Sequence, residues 1–276
     1  MRNYGILINT CDKFNDCWKP FFKLFAFYWP NCSGSLYLNT ELEEFNYSNL
    51  DIKSLRVAID NQAKTLTWSE CLLKALDKID EEIILYMQED YFINSQVRDH
   101  KINEFVELMS RNHDIDCIHL TDVGPQGNQI YASDNRLRIV PLIHKDRICC
   151  QAALWRKKTL QQYIRTHESA WNFEWFGSKR SQYYHHNFYS VDRQLILHKC
   201  DAIIPYIATG VIGGRWHKEI PKLFNDHQIH IDYSIRGFFI QQEKKLLERL
   251  KSKMKRFPVE FRSNIELLLL RLRGNR

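Results

Sequence analysis

A chain of 276 residues, 44% hydrophobic and 26% charged, holds enough apolar mass for a sizeable core and excludes a disordered or low-complexity protein. Its formal net charge of +6 is confined to one end: residues 241–276 carry eleven Lys and Arg against four Glu, +7, which leaves −1 for the 240 residues before them. A near-neutral body without a helix-turn-helix or RNA-binding signature argues against a nucleic-acid-binding main domain. No apolar run is long enough to cross a bilayer.

The eight cysteines show no CxxC pair and no metal-finger spacing, so free thiols in a reducing cytoplasm are expected. The opening MRNYGILINTCDK lacks the apolar core and cleavage site of a signal peptide, which fits the same compartment.

Tyr4–Asn9 reads as a first strand, with Thr10–Asp12 as the loop at its carboxyl end. WKPFFKLFAFYW predicts a short helix with Pro20 near its first turn, ended by Trp29-Pro30. Ser35–Asn39 is a second strand. Thr67 to Glu70, TWSE, is a capping box that opens a helix with Leu72, Leu73, Leu76 and Ile79 on one face. IILYMQEDYFI, Ile83–Ile93, is a buried strand whose apolar run ends in Glu89 and Asp90. Lys101–Arg111 is a helix and Ile115–Leu120 a strand. The alternation predicts an α/β fold with a mixed, mainly parallel sheet flanked by helices.

The second half is less regular. Asp122–Asn135 reads as a loop, Leu137–Val140 and Ala152–Trp155 as strands, Lys157–Arg165 as a helix and Ile203–Tyr206 as a further strand. Beyond residue 240 the pattern predicts two basic amphipathic helices, the first with Leu246, Leu247, Leu250 and Met254 on one face, separated at Pro258. This divides the chain into a main domain, 1–240, and a helical tail, 241–276. Such a tail suits an anionic membrane surface, packing on the main domain, or oligomerisation.

Several common chemistries lack their motifs. There is no P-loop, dinucleotide fingerprint, GxSxG or HExxH. What remains is a set of polar residues at strand ends, where open α/β sheets bind ligands. Glu89 and Asp90 are oxygen donors suited to a hard divalent cation, which in turn neutralises a diphosphate; the alternative is an acidic turn. Glu174 lies in the aromatic block WNFEWFGS, a setting that raises a carboxyl pKa toward that of a general base; the alternative is a helix-end surface acid. Lys179 and Arg180 read as a solvated basic turn or as diphosphate ligands. His217, after the glycine-rich GVIGGRW, is a surface histidine or a ligand to metal or phosphate.

Taken together, LINTCDKFNDCWKPFF, LYLNTE, TWSECLLKALDKIDEEIILYMQEDYF, CQAALWRKKTL and WNFEWFGSKRS resemble the successive blocks of bacterial GT-A-fold glycosyltransferases found in capsule and lipopolysaccharide biosynthesis clusters. The resemblance covers most of residues 4–220. It implies that Thr10 and Asp12 contact the nucleotide of a sugar donor, UDP-linked in the expected case. It implies that Glu89 and Asp90 stand in the place of the acidic motif that holds Mn²⁺ or Mg²⁺, although Gln88-Glu89-Asp90 departs from a strict DxD. It further implies that Glu174 deprotonates the acceptor hydroxyl in an inverting transfer, with Trp171 and Trp175 lining a site for a glycan or lipid-linked glycan. Two other readings stay open: an inactive GT-A-like binding module, and a polyanion-binding protein that uses its tail.

Overall fold

The structure, a computed structural model, describes residues 3–48, 50–61, 65–195, 202–241 and 246–274. Its strands are β1 (Gly5–Asn9), β2 (Ser35–Asn39), β3 (Ile52–Ser54), β4 (Ile83–Gln88), β5 (Cys117–His119), β6 (Gln129–Tyr131), β7 (Asp134–Ile139), β8 (Ala153–Arg156), β9 (Phe188–Val191), β10 (Val211–Ile212) and β11 (Arg215–Trp216). Its α-helices are α1 (Asn15–Tyr28), α2 (Trp68–Asp77), α3 (Asp99–Arg111), α4 (Lys157–Tyr163), α5 (Ala170–Arg180), α6 (Ile220–Asp226) and α7 (Leu246–Gly274).

Among the described residues, nine strands form one sheet in the order β3-β2-β1-β4-β8-β5-β9-β7-β6. Following the pairings across it, β7 and β8 run against the other seven. The sheet is therefore mixed and mainly parallel, as the alternation of elements leads one to expect. The central strands β1, β2 and β4 are apolar between their ends, as suits a sheet covered on both faces. Ile6, Ile8, Leu36, Leu38, Leu85 and Met87 pack with α1, α3 and α6 on one face. Leu7, Tyr37, Ile84 and Tyr86 pack with α2, α4 and α5 on the other.

Local signals are realised closely at the N-terminal half. The Thr67 hydroxyl accepts from the Glu70 amide at 3.1 Å, and the Glu70 carboxylate accepts from the Thr67 amide at 2.8 Å. Pro20 lies inside α1, one turn later than predicted, because the helix starts at Asn15 rather than at Trp18.

Four expectations are corrected. The apolar run from Ile83 stops being a strand at Gln88; Glu89 and Asp90 form a turn, and Ile93 makes a single bridge with Tyr206. The strand predicted at Ile203–Tyr206 is reduced to that bridge and to backbone bonds from Asn94 to Pro205, Arg98 to Ile203 and Ile207 to Phe92, with no continuous ladder among the described residues. The predicted loop at Asp122–Asn135 contains β6 and the start of β7, whose hairpin extends the sheet by backbone pairing rather than by apolar content. In the tail, α7 is one helix that passes through Pro258. Losing one backbone hydrogen bond there costs about 3 kcal/mol, and anchoring of the following turns at Ser263 and Glu266 offsets it. The side chains of Leu246, Leu247 and Leu250 and the joint at 242–245 lie outside the described residues.

Candidate active site

The parallel register aligns Asn9 with Asn39 on one side and with Gln88 on the other, so three polar residues end β1, β2 and β4 at one level. Their amides form a buried ladder. Asn39 Nδ2 donates to Asn9 Oδ1 at 2.7 Å, Asn9 Nδ2 to the Tyr86 hydroxyl at 3.1 Å, and Gln88 Nε2 to the same hydroxyl at 3.2 Å. The strand order switches direction at β1, with β2 on one side and β4 on the other, and open α/β sheets bind ligands beyond the carboxyl ends of the strands at such a point.

Thr10 and Asp12 follow β1 at this switch point. The buried Thr10 hydroxyl accepts from Trp18 Nε1 at 2.9 Å. The Asp12 carboxylate accepts from the amides of Glu41 and Leu42 at 2.8 Å and of Glu43 at 3.2 Å. Asp12 thus clamps the loop after β1 to the loop after β2.

Glu89 and Asp90 are both buried in the turn after β4. Burial, then the neighbouring Asp90 charge, holds the Glu89 carboxyl well above the ordinary range. Burial also raises Asp90, against hydrogen bonds that favour its ionised form. Asp90 Oδ2 accepts from the Thr209 hydroxyl at 3.0 Å and the Val211 amide at 3.1 Å. Asp90 Oδ1 is buried with no hydrogen-bond partner. An unpaired buried carboxylate oxygen is costly, and it marks a position suited to a cation or a donor.

The segment that grips Asp90 is the β10–β11 hairpin. Gly213 and Gly214 adopt φ of 58° and 82°, the left-handed geometry that a two-residue turn of this kind needs. Gly210 has no room for a Cβ, which would sit 2.4 Å from the Phe92 ring and 2.8 Å from the Asp90 carbonyl oxygen. His217 closes the hairpin, donating its amide to the Gly210 carbonyl at 2.8 Å. Its Nδ1 accepts from the Glu219 amide at 3.4 Å.

Arg236 was not anticipated. Its guanidinium donates to Asp16 Oδ2 at 2.6 Å and to the Lys13 carbonyl at 3.2 Å, and stacks 4.4 Å over Phe14. Its positive charge also acts on Glu89. The pairing joins positions 220 residues apart, so no local pattern could reveal it.

Glu174 meets the chain just ahead of β8, the neighbour of β4. On α5, its Oε1 accepts from the Cys150 amide at 2.7 Å. Burial raises its pKa, with the Cys150 amide pulling the other way. The Cys150 thiol interacts with both Glu174 and Tyr86, which connects Glu174 to the amide ladder. The Tyr91 hydroxyl, next to Asp90 in sequence, donates to the Cys150 carbonyl at 2.8 Å. Trp171 and Trp175 lie on the outer side of α5, 82% and 57% exposed, with Lys179 Nζ 4.3 Å from the Trp175 ring centre.

Arg180 is neither a surface cation nor a diphosphate ligand. It is fully buried, bonded to Glu168 at 2.5 and 2.7 Å and to Glu266 of α7 at 3.4 Å.

No protein-family profile matches this chain, and no curated protein matches its sequence. Among solved structures it is similar to S. aureus TarS in complex with UDP-GlcNAc (TM-score 0.46, 11% identity), over 68% of this chain and 56% of that one. It is also similar to Drosophila β-1,4-galactosyltransferase 7 with manganese, UDP-Gal and xylobiose (TM-score 0.38, 11% identity; 90% and 79% covered). A third is mannosyl-3-phosphoglycerate synthase from Rubrobacter xylanophilus (TM-score 0.34, 7% identity; 56% and 54% covered). The chain spans between 41% and 58% of the length of the TarS structures it matches. At these values no residue role passes from those proteins to this one.

Proposed function

We propose that this chain is a GT-A-type glycosyltransferase that moves a sugar from a nucleotide donor, UDP-linked, to a hydroxyl of a glycan or lipid-linked glycan, with inversion. One observation carries the reading. Two carboxylate sites with different environments lie at the carboxyl end of β4 and just ahead of β8, its neighbour: Glu89-Asp90 with its unpartnered Oδ1, and Glu174, tied to the Cys150 amide, with its raised pKa. Direct displacement at an anomeric carbon needs this division, a base on the acceptor side and charge neutralisation on the diphosphate side.

Glu174 is fixed through Oε1 by the Cys150 amide, which leaves Oε2 to take the proton of the acceptor hydroxyl. Its raised pKa makes it a stronger base than an ordinary surface carboxylate. Trp171 and Trp175 offer exposed ring faces against which a sugar can stack.

On the donor side, a divalent cation, Mn²⁺ or Mg²⁺, would be held by Asp90 Oδ1 and Glu89 and would neutralise the diphosphate when bound. Among the described residues no three His, Cys, Asp or Glu side chains gather around one point. That fits a cation held by one or two carboxylates together with substrate phosphates, as is usual for Mg²⁺. His217 stands in the hairpin that grips Asp90 and is the next candidate ligand. Thr10 and Asp12 shape the nucleotide wall, and the ladder above Tyr86 supplies its floor.

A thermal-shift panel of UDP, GDP and CMP, each with and without Mn²⁺, tests this reading, since a ligand that binds only the folded state raises Tm. The expected result is a Mn²⁺-dependent shift with UDP that Asp90→Asn abolishes while ligand-free Tm changes less. Absence of a shift with every nucleotide would sink the transferase reading in favour of a binding module.

A further inference from the structure

Helix α7 meets the body of the protein through Ser263 and Glu266, with the half-buried Val259, Leu267 and Leu270 on the same side. The buried Ser263 hydroxyl donates to Glu168 Oε1 at 2.7 Å and lies 3.0 Å from His167 Nε2. Glu266 accepts from Arg165 Nε at 2.7 Å and from Arg180 Nη1 at 3.4 Å. These contacts hold α7 near α5, the helix that carries Glu174.

The opposite side is apolar and faces solvent. Met254, Phe257, Phe261, Ile265, Leu268 and Leu272 are each 44–76% exposed. A surface helix needs only its inward apolar face to pack, so this second, outward apolar face is left without a cover among the described residues. The six residues cover eighteen positions in five steps, a mean of 3.6. The spacing keeps the stripe on one side of α7, with exposed Leu269 beside it. Exposed Arg262 and Arg273 border it on one flank, and exposed Arg271 on the other.

We propose that this outward face of α7 docks the chain on an anionic lipid surface, with the apolar stripe in the headgroup boundary and the flanking arginines among the phosphates. Charge favours this occupant over a second copy. Pairing two copies along the stripe brings two segments of +7 together, whereas an anionic bilayer attracts each. Apolar burial and basic flanks together are what an interfacial helix uses to bind. The docking does not rest on the transferase reading, because none of its residues belongs to the candidate active site.

Flotation of the full chain with phosphatidylcholine vesicles, alone or with a quarter phosphatidylglycerol, tests the proposal at low and high salt. Expected are recovery with the anionic vesicles, a drop of about tenfold or more without the anionic lipid or at high salt, and a similar drop in F257E/F261E/L268E. Those side chains point away from the domain, and an unchanged melting curve shows that the variant folds. R262E/R273E provides a second arm that leaves the apolar face intact and lowers recovery with anionic vesicles. Equal recovery of wild type and both variants would overturn the proposal, as would failure to float with anionic vesicles at low salt. A wild-type dimer that F257E/F261E/L268E converts to monomer, without vesicle binding by either, would assign the stripe to a second copy instead.

Discussion

Glu174 Oε1 sits 2.7 Å from the Cys150 backbone nitrogen, and this bond is what brings a helix-borne carboxylate to the carboxyl ends of the central strands. Cys150 leads into β8, which lies beside β4. Helix α5 is thereby tied to the strand that delivers Glu89 and Asp90, although Glu174 and Asp90 are far apart in the chain.

Replacing Glu174 by Gln keeps an acceptor oxygen for the Cys150 amide. The melting temperature of Glu174→Gln is therefore expected to match wild type to within about 1 kcal/mol of stability, while sugar transfer falls by about a hundredfold or more. Initial rates with UDP-sugar donors, alongside calorimetric melting, measure both. Transfer at the wild-type rate would remove Glu174 from the chemistry.

The pH dependence of stability follows from Glu89. Its carboxyl titrates well above 4.5 in the folded chain, through burial first and the Asp90 charge second. The folded state thus binds more protons than the unfolded state between those two pKa values. Stability is full below the unfolded pKa and falls as pH rises toward the folded one. The Glu89 contribution to ligand-free Tm, read as the difference between the wild-type and Glu89→Gln curves, should decline as pH rises above the ordinary glutamate range. Glu89→Gln should gain about 1–3 kcal/mol at the alkaline end. A Tm–pH series on both proteins decides it; a variant less stable than wild type at about pH 8 would contradict the burial argument.

Gly210→Ala drives a Cβ into the Phe92 ring and the Asp90 carbonyl oxygen, contacts too close to relax without moving the hairpin. A loss of about 1–3 kcal/mol is expected, together with weaker nucleotide binding, because Thr209 and Val211 hold Asp90. Gly124→Ala is the control, since its Cβ would meet neighbours only at 3.7–3.8 Å. Urea titration of the two variants should separate them clearly, and equal midpoints would count against the packing argument.

The Arg180–Glu168 pair has no solvent exposure on either side chain. Arg180→Ala strands the Glu168 charge and should cost about 3–5 kcal/mol, while the double variant Arg180→Met with Glu168→Leu should recover most of that. Chemical denaturation of the single and double variants measures the difference. A mild single-variant effect would count against a buried, charge-paired Glu168.

Elements whose identity rests on neighbours in sequence were readable from the chain. The strand Ser35–Asn39 matches residue for residue, and the Thr67–Glu70 box caps α2 as its spacing requires. Apolar runs buried on both faces and reciprocal caps are set by local chemistry, so they survive any packing. The acids at the end of β4 and the aromatic setting of Glu174 were visible for the same reason. The hairpin at β6–β7 was hidden because polar, half-exposed strands carry no strong period. Asn9 and Asn39 were visible as strand ends, but their shared ladder depends on register.

Residue order alone thus dictates the central strands, their flanking helices, the near-neutral body and the concentration of charge in the last 36 positions. Only folding in three dimensions turns Arg180 inward to Glu168, spends the Asp12 oxygens on the loop after β2, leaves Asp90 Oδ1 without a partner, and turns an apolar side of α7 to solvent. The physical reason is common to all four. Each depends on which distant groups compete for one buried hydrogen-bonding atom or one helix face, and that competition is settled by packing between elements far apart in the chain.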